Sequence, residues 1–475
     1  MSPVVAGCTM VPSGLKHRLP LESNYADGSI RNYVRSGRIG RAGATHGARR
    51  DRANFGLRHA VQLSGGVDGA EPNGVTLGKG GVLYGTTYTG GPNKCHPGGY
   101  RCGTVFELTP STGAAWTKTV LYSFSGADGA APGASMVFGG NGALYGTTKA
   151  GGTGNNGGTV FELAPPATTG GVWTETVLYS LPGGADASRT PYGLLVGPSG
   201  AIYGTAYAST ENQGYPAGGT VFTLTPPAVT GGSWTAQTLV SFWPITAMGN
   251  EPSAGVVSAG GSLYGTTSTS DADEGGCGSV YELSPPSAGS TWTGTAIHSF
   301  GGADGCSSQA LLTVGPDDVL YGTTLVGGSG TVCNIGAGGC GTVFQLTPPA
   351  TAGGAWTEAV IYNFTGSNGD GAIPSGGLAL GKNGALYGTT AYGGSDTSGS
   401  LCRTYTPPGC GTVFKLTPPA TSGGAWTETV LHSFTDQNGD GLLPGPLTIS
   451  PGGVLYGSTL GGGTAGYGTV FALEP

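Results

Sequence analysis

The chain has 475 residues, 97 of them glycine, with 19 Lys+Arg against 26 Asp+Glu. The lack of a strict Gly-X-Y period excludes collagen; 37% hydrophobic residues, with 21 Tyr, 13 Phe and 7 Trp, exclude a chain too polar to form a core. Residues 1–60 hold 10 of the basic and 3 of the acidic residues (+7), leaving 9 and 23 (−14) for residues 61–475, so the main body lacks the basic face that nucleic-acid binding requires.

Residues 1–56 read as a basic, Gly/Arg-rich leader. The stretch "RSGRIGRAGATHGARRDR" (Arg35–Arg52) has no periodicity and is expected to be disordered. "VVAGC" (Val4–Cys8) looks like a lipoprotein cleavage box with Cys8 as the acylated residue. The basic n-region is missing and the apolar run is short, which argues against it. No apolar stretch anywhere approaches the ~18 residues of a membrane helix.

From residue 57 onward the chain repeats itself. The Tyr of an "LYG" element falls at Tyr84, Tyr145, Tyr203, Tyr264, Tyr321, Tyr387 and Tyr456. A "GTVF" element ends at Phe106, Phe161, Phe222, Tyr281, Phe344, Phe414 and Phe471. A third element starts at Trp116, Trp173, Trp234, Trp292, Trp356 and Trp426 and occurs six times. A further apolar stretch precedes each LYG. These short runs are β-branched and aromatic and are bounded by Gly and Pro, so each is predicted to be a strand. The Asn-Gly or similar pair before LYG is a hairpin signal.

A repeat thus holds strands a, b (LYGTT), c (GTVFEL) and d (W…LYSF), and seven such units predict an all-β, seven-bladed β-propeller over residues 57–475. The last unit supplies a, b and c, then stops, while "LRHAVQLSGGVDGAEP" (Leu57–Pro72) begins with an orphan d strand. The two chain ends are therefore expected to complete one blade and close the ring, removing open edges.

The pattern "LYGTT…GG…GTVFELTP…W…VLYSF…DG…P" resembles the GloVer-type tandem repeat of bacterial surface and exported proteins. The resemblance covers residues 57–475 and implies an exported repeat protein with no assigned catalytic residues. A C-terminal anchor is not evident before Pro475.

Antiparallel order puts the b–c and d–a loops on one face. From the LYG Tyr to the GTVF aromatic the spacing is 22, 16, 19, 17, 23, 27 and 15 residues, so length variation concentrates in the b–c loops, of which 88–102, 325–340 and 391–410 are the candidate binding loops. Eight cysteines fall on the same face as four local pairs: Cys95 with Cys102, Cys277 with Cys306, Cys333 with Cys340, and Cys402 with Cys410. Their spacing suits disulfides better than zinc, which implies an oxidising compartment.

An Asp recurs at the d–a corner (Asp68, Asp128, Asp186, Asp304, Asp370, Asp440), as expected of an Asx-turn. In "DQNGDG", Asp436, Asn438 and Asp440 alternate like the start of a calcium loop, but the Glu of an EF-hand is replaced by Leu447. Calcium is thus the one cofactor in view and a plain turn the favoured reading. His298 and His432 share a slot with Tyr122, Tyr179 and Tyr362, which reads as blade packing. No nucleophile elbow, phosphate loop or HExxH is present.

These features point to a monomeric, non-enzymatic extracellular or cell-surface binding or adhesion propeller with a glycan or protein partner, and without nucleic acid. The alternatives are a polysaccharide lyase or glycoside hydrolase at the central channel mouth, or a structural envelope or matrix protein.

Overall fold

In a computed structural model, strand a of the first blade (Ala70–Leu77) pairs with b (Leu83–Thr89), b with c (Thr104–Pro110), and c with d (Trp116–Ser123), all antiparallel. This meander recurs through seven blades, with the a strand broken into short pieces in several. The structure describes residues 56–475 except 96–100, 112–115, 155, 169, 184–188, 209–217, 230, 243–245, 270–275, 287–290, 331–332, 334–337, 352, 396–401, 404–406 and 422. The leader and Cys8 lie outside the described residues. No helix among the described residues is long and apolar enough to cross a membrane.

The repeated sequence has a packing cause. The Gly of LYG lies under an aromatic ring: a Cβ on Gly85, Gly146 or Gly388 would stand 2.5 Å from the ring of Phe106, Phe161 or Phe414. The second Thr of LYGTT meets the Thr or Ser of the c strand in a buried hydroxyl pair, at 2.9 Å for Thr87–Thr104 and 2.8 Å for Thr148–Thr159. Four of the a–b hairpins use turns with φ > 0 at both central residues, such as Asn383 (57°) and Gly384 (74°), the geometry that Asn-Gly favours, whereas the turns at Gly142, Gly200 and Gly453 place one glycine there.

Blades are joined by a recurring seam. The LYG Tyr of each blade meets the d-strand Trp of the next: Tyr84–Trp173, Tyr145–Trp234, Tyr203–Trp292, Tyr264–Trp356 and Tyr321–Trp426, with Tyr456–Trp116 closing the ring, all at 5.5–6.2 Å between ring centroids. At ~0.5–1.5 kcal/mol per aromatic pair beyond area burial, the seam is stabilised by repetition. For Tyr387 the corresponding partner position is Phe55, outside the described residues.

A second seam lies at the start of each a strand. There a non-glycine residue takes positive φ (Glu71 58°, Ala131 55°, Ser307 60°, Ile373 59°, Leu443 55°). Its amide donates to the carbonyl two residues before the c strand of the preceding blade, as in Ala131 to Cys102 (2.9 Å) and Glu71 to Tyr467 (3.0 Å). This inter-blade bond offsets the left-handed backbone, which is costly for a β-branched residue such as Ile373.

The ring closes as the chain ends imply. Arg58–Gln62 pairs antiparallel with Thr469–Leu473, matching Val61 to Val470, and Leu63 is 1% exposed. The a strands form the inner edge and touch one another. A Cβ on Gly255 would lie 2.6 Å from the carbonyl of Gly193, and one on Gly376 3.1 Å from Pro446.

Candidate functional site

Four disulfides sit on the b–c face: Cys95–Cys102, Cys333–Cys340 and Cys402–Cys410 within single loops, and Cys277–Cys306 between a b–c loop and the following d–a corner. One cysteine of each pair lies two residues before strand c, where its carbonyl receives the inter-blade bond. Ile373 donates to Cys340 (2.9 Å), Leu443 to Cys410 (3.0 Å) and Ser307 to Cys277 (2.8 Å). The crosslinks therefore hold both the loop and the blade seam. Of the three long loops, residues 96–100, 331–332, 334–337, 396–401 and 404–406 lie outside the described residues.

At the d–a corners the aspartates fold the backbone. Asp128 Oδ1 accepts from the amides of Ser125 (2.8 Å) and Gly126 (3.0 Å). Asp370 accepts from the amides of Thr365 and Gly371, each at 2.7 Å. Asp440 accepts from Thr435 (3.0 Å) and Gly441 (2.9 Å). Asp186 lies outside the described residues. The slot shared by Tyr and His supplies the remaining contact: Tyr122 reaches Asp128 at 2.5 Å, His298 reaches Asp304 at 2.9 Å and His432 reaches Asp440 at 3.2 Å.

Three of these corners also meet a Glu from the next blade's d strand. Burial first, and then the neighbouring aspartate, push Glu175 (beside Asp128), Glu358 (beside Asp304) and Glu428 (beside Asp370) up to about 7. One buried oxygen of each Glu has no hydrogen-bond partner. His298, Asp304 and Glu358 bring their donor atoms within 4.8 Å of one another, but the arrangement is the Tyr–Asp–Glu seam of other blades with His in the Tyr slot.

Asp436 is half-buried and Asn438 exposed. Burial and then the Asp440 carboxylate raise Asp436 to about 6. Both carboxylate oxygens of Asp440 are already engaged by the corner.

A different cluster lies at the inner rim of the same face, built where the repeat is broken. The residue after LYGTT is Tyr88, Lys149, Tyr207, Ser268, Leu325, Ala391 and Leu460 in the seven blades. The residue two positions past the left-handed one in strand a is Asn73, Gly133, Tyr192, Ser253, Gln309, Ser375 and Gly445. From the first set Lys149 and Tyr207 reach residues of the following blade, Tyr192 and Glu251, and the second set lies on the inner strand.

The Lys149 ammonium lies 5.8 Å from the Tyr88 ring centre and 5.4 Å from that of Tyr192. Its stem runs over Gly133, where a Cβ would come within 2.3 Å of Cε. Tyr192 meets Tyr207 edge-on at 6.5 Å. Tyr207 donates to Glu251 Oε1 (3.4 Å) and Ser268 to Glu251 Oε2 (2.8 Å). Four blades thus place three tyrosines, one lysine and one glutamate in a continuous row.

Burial pulls Lys149 down to about 8. Burial first, then Glu251 and Tyr88, raises Tyr192 to about 12. The sequence signal for this row is the variable residue directly after the recurrent LYGTT, inward of the length-variable loops.

Among solved structures, a polysaccharide lyase aligns with TM-score 0.46 and 10% identity over 90% of this chain and 93% of its own. A protein of unknown function from Dyadobacter fermentans aligns with TM-score 0.40 and 13% identity over 89% and 99%, and a glucose dehydrogenase with 0.39 and 13% over 72% and 95%. At this distance they say nothing of this chain's activity. No curated protein matches it in sequence. The repeat pattern itself matches across residues 33–215 and 190–409, and the chain belongs to the Gloeobacter/Verrucomicrobia repeat family.

Proposed function

We propose that the protein is an exported binding propeller that holds a glycan at the inner rim of the b–c face. The carrying observation is the row Tyr88–Lys149–Tyr192–Tyr207–Glu251, assembled from four blades on a scaffold whose other blades place Leu325, Ala391 and Leu460 at the strand-b position. Tyrosine combines a flat apolar face with a hydroxyl, and the flanking Asn73, Gln309 and Ser375 are amide and hydroxyl groups suited to sugar hydroxyls. The four disulfides fit an oxidising compartment outside the cytosol.

The enzymatic reading has less support. It relies on the corner aspartates, and Asp128, Asp370 and Asp440 are engaged by backbone amides.

A glycan array and a polysaccharide-turnover screen on the full chain test the proposal. Saturable binding without turnover is expected, weakened at least about 10-fold by Tyr192→Ala, a loss of about 1.4 kcal/mol. Binding unchanged by that substitution would place the ligand elsewhere, and turnover would favour the enzyme.

A further inference from the structure

We infer that the glycan seated at this rim carries an anionic group and that Lys149 receives it. The inference rests on the rim reading above and names the chemical class of its ligand.

Lys118 and Lys149, both half-buried and both pulled down to about 8 by burial, differ in one respect. Lys118 Nζ lies 3.7 Å from the carboxylate of Asp68 and also donates to the Asp68 carbonyl, so its charge is answered within the fold. It closes the seam between the last and first blades and has a structural role. Lys149 is held equally well, with its stem over Gly133 and its ammonium between two aromatic faces. Yet no carboxylate pairs with it among the described residues.

Two ring faces offset only part of an ammonium's lost hydration. The missing contribution is a counter-charge, and Lys149 is only half-buried, so a solvent-borne anion can reach it. Burial holds its value near 8 with no acidic neighbour opposing the shift among the described residues, whereas Asp68 opposes it at Lys118. Glu251 does not fill the role, because Tyr207 and Ser268 hold its carboxylate at the far side of Tyr192.

The row therefore has a cationic end and an acceptor end, with an aromatic floor between. A sugar ring stacked on Tyr192 would set its acid on Lys149 and its hydroxyls toward Tyr207 and Glu251. A carboxylate of a uronic acid and a sulfate ester share this chemistry.

Affinity electrophoresis of the full chain in polygalacturonate (carboxylate), dextran sulfate (sulfate ester) and dextran (neutral) reads the inference directly. Wild type is expected to be retarded by at least one acidic polymer and by it more than by dextran. Lys149→Met keeps the stem and should weaken that binding at least 10-fold. Lys79→Met, on the exposed a–b turn of the opposite face, should leave it unchanged.

Retardation by polygalacturonate alone assigns a carboxylate; retardation by dextran sulfate alone assigns a sulfate. Equal retardation by dextran, or a Lys149→Met variant that binds like wild type while Tyr192→Ala does not, overturns the anionic inference and leaves the glycan site standing. If no polymer binds, or if Tyr192→Ala binds as wild type, the rim reading and the inference fall together.

Discussion

The side-chain oxygen of Gln62 accepts a 2.9 Å hydrogen bond from the amide of Thr464, 402 residues further along the chain. The same Gln62 donates through Nε2 to the carbonyl of Gly439 (3.2 Å). The first strand of the propeller is thus locked into the last blade by side chains as well as by the ladder. Deleting residues 57–65 should expose the edge of Thr469–Leu473 and remove the burial of Leu63. The expected cost is at least about 3 kcal/mol from lost apolar burial and pairing. Thermal melting and gel filtration would show a lower Tm and self-association; an unchanged monomeric melt would refute ring closure.

Stability should depend on the carboxyl pairs at the blade seams. Glu175, Glu358 and Glu428 are each raised to about 7 in the fold, above the ordinary value of 4.5. A raised folded value means that folding takes up a proton. The stabilisation is complete below about pH 4.5 and is lost as pH rises through 7. Each pair should contribute about 1 kcal/mol after solvent screening. Melts between pH 5 and 8 should show Tm falling with pH, and the triple Glu→Gln variant should flatten this slope and melt higher at pH 8.

The disulfides should differ in worth by the loops that they close. Cys277–Cys306 spans 29 residues, whereas Cys95–Cys102 and Cys333–Cys340 span 7. Loop-closure entropy gives about 3.6 kcal/mol for the first and about 2.4 for the others. Paired Cys→Ser variants compared by denaturant midpoint should follow that order. Equal losses would show that the seam bonds, and not the closed loops, set the effect.

His298→Tyr should be tolerated within about 0.5 kcal/mol, because Tyr122 already makes the equivalent bond to Asp128 in the first blade. A loss above 2 kcal/mol would mean that the imidazole has a role of its own.

Calcium should raise Tm by less than about 0.3 °C at millimolar concentration, well below the shift of about 1 °C that about 1 kcal/mol of binding energy gives a propeller of this size. Asp440 already spends its carboxylate on Thr435 and Gly441. A saturable upward shift abolished by Asp436→Asn would establish the cation loop instead.

Sequence alone determined the seven blades, their strand order and the complementary chain ends. These are within-blade properties. Gly85 under Phe106 and Thr87 against Thr104 are neighbours through one hairpin, so their spacing recurs and is legible. The cysteine pairs were legible for the same reason, since three of them lie within single loops. The Asp turns were also readable, because Asx-turns bond residues a few positions apart.

Only the tertiary structure decided which side chains meet across the seams between blades. Lys149 reaches Tyr88 and Tyr192 of the blades on either side because the edges of strand b are paired within its own blade and its side chains stand toward the neighbours. Glu428 meets Asp370 by the same geometry. No spacing in the chain encodes those encounters, since they depend on the direction of side chains across a seam. The conspicuous repeat built the ring, and the five residues of the rim became a contiguous row only when four blades were set side by side.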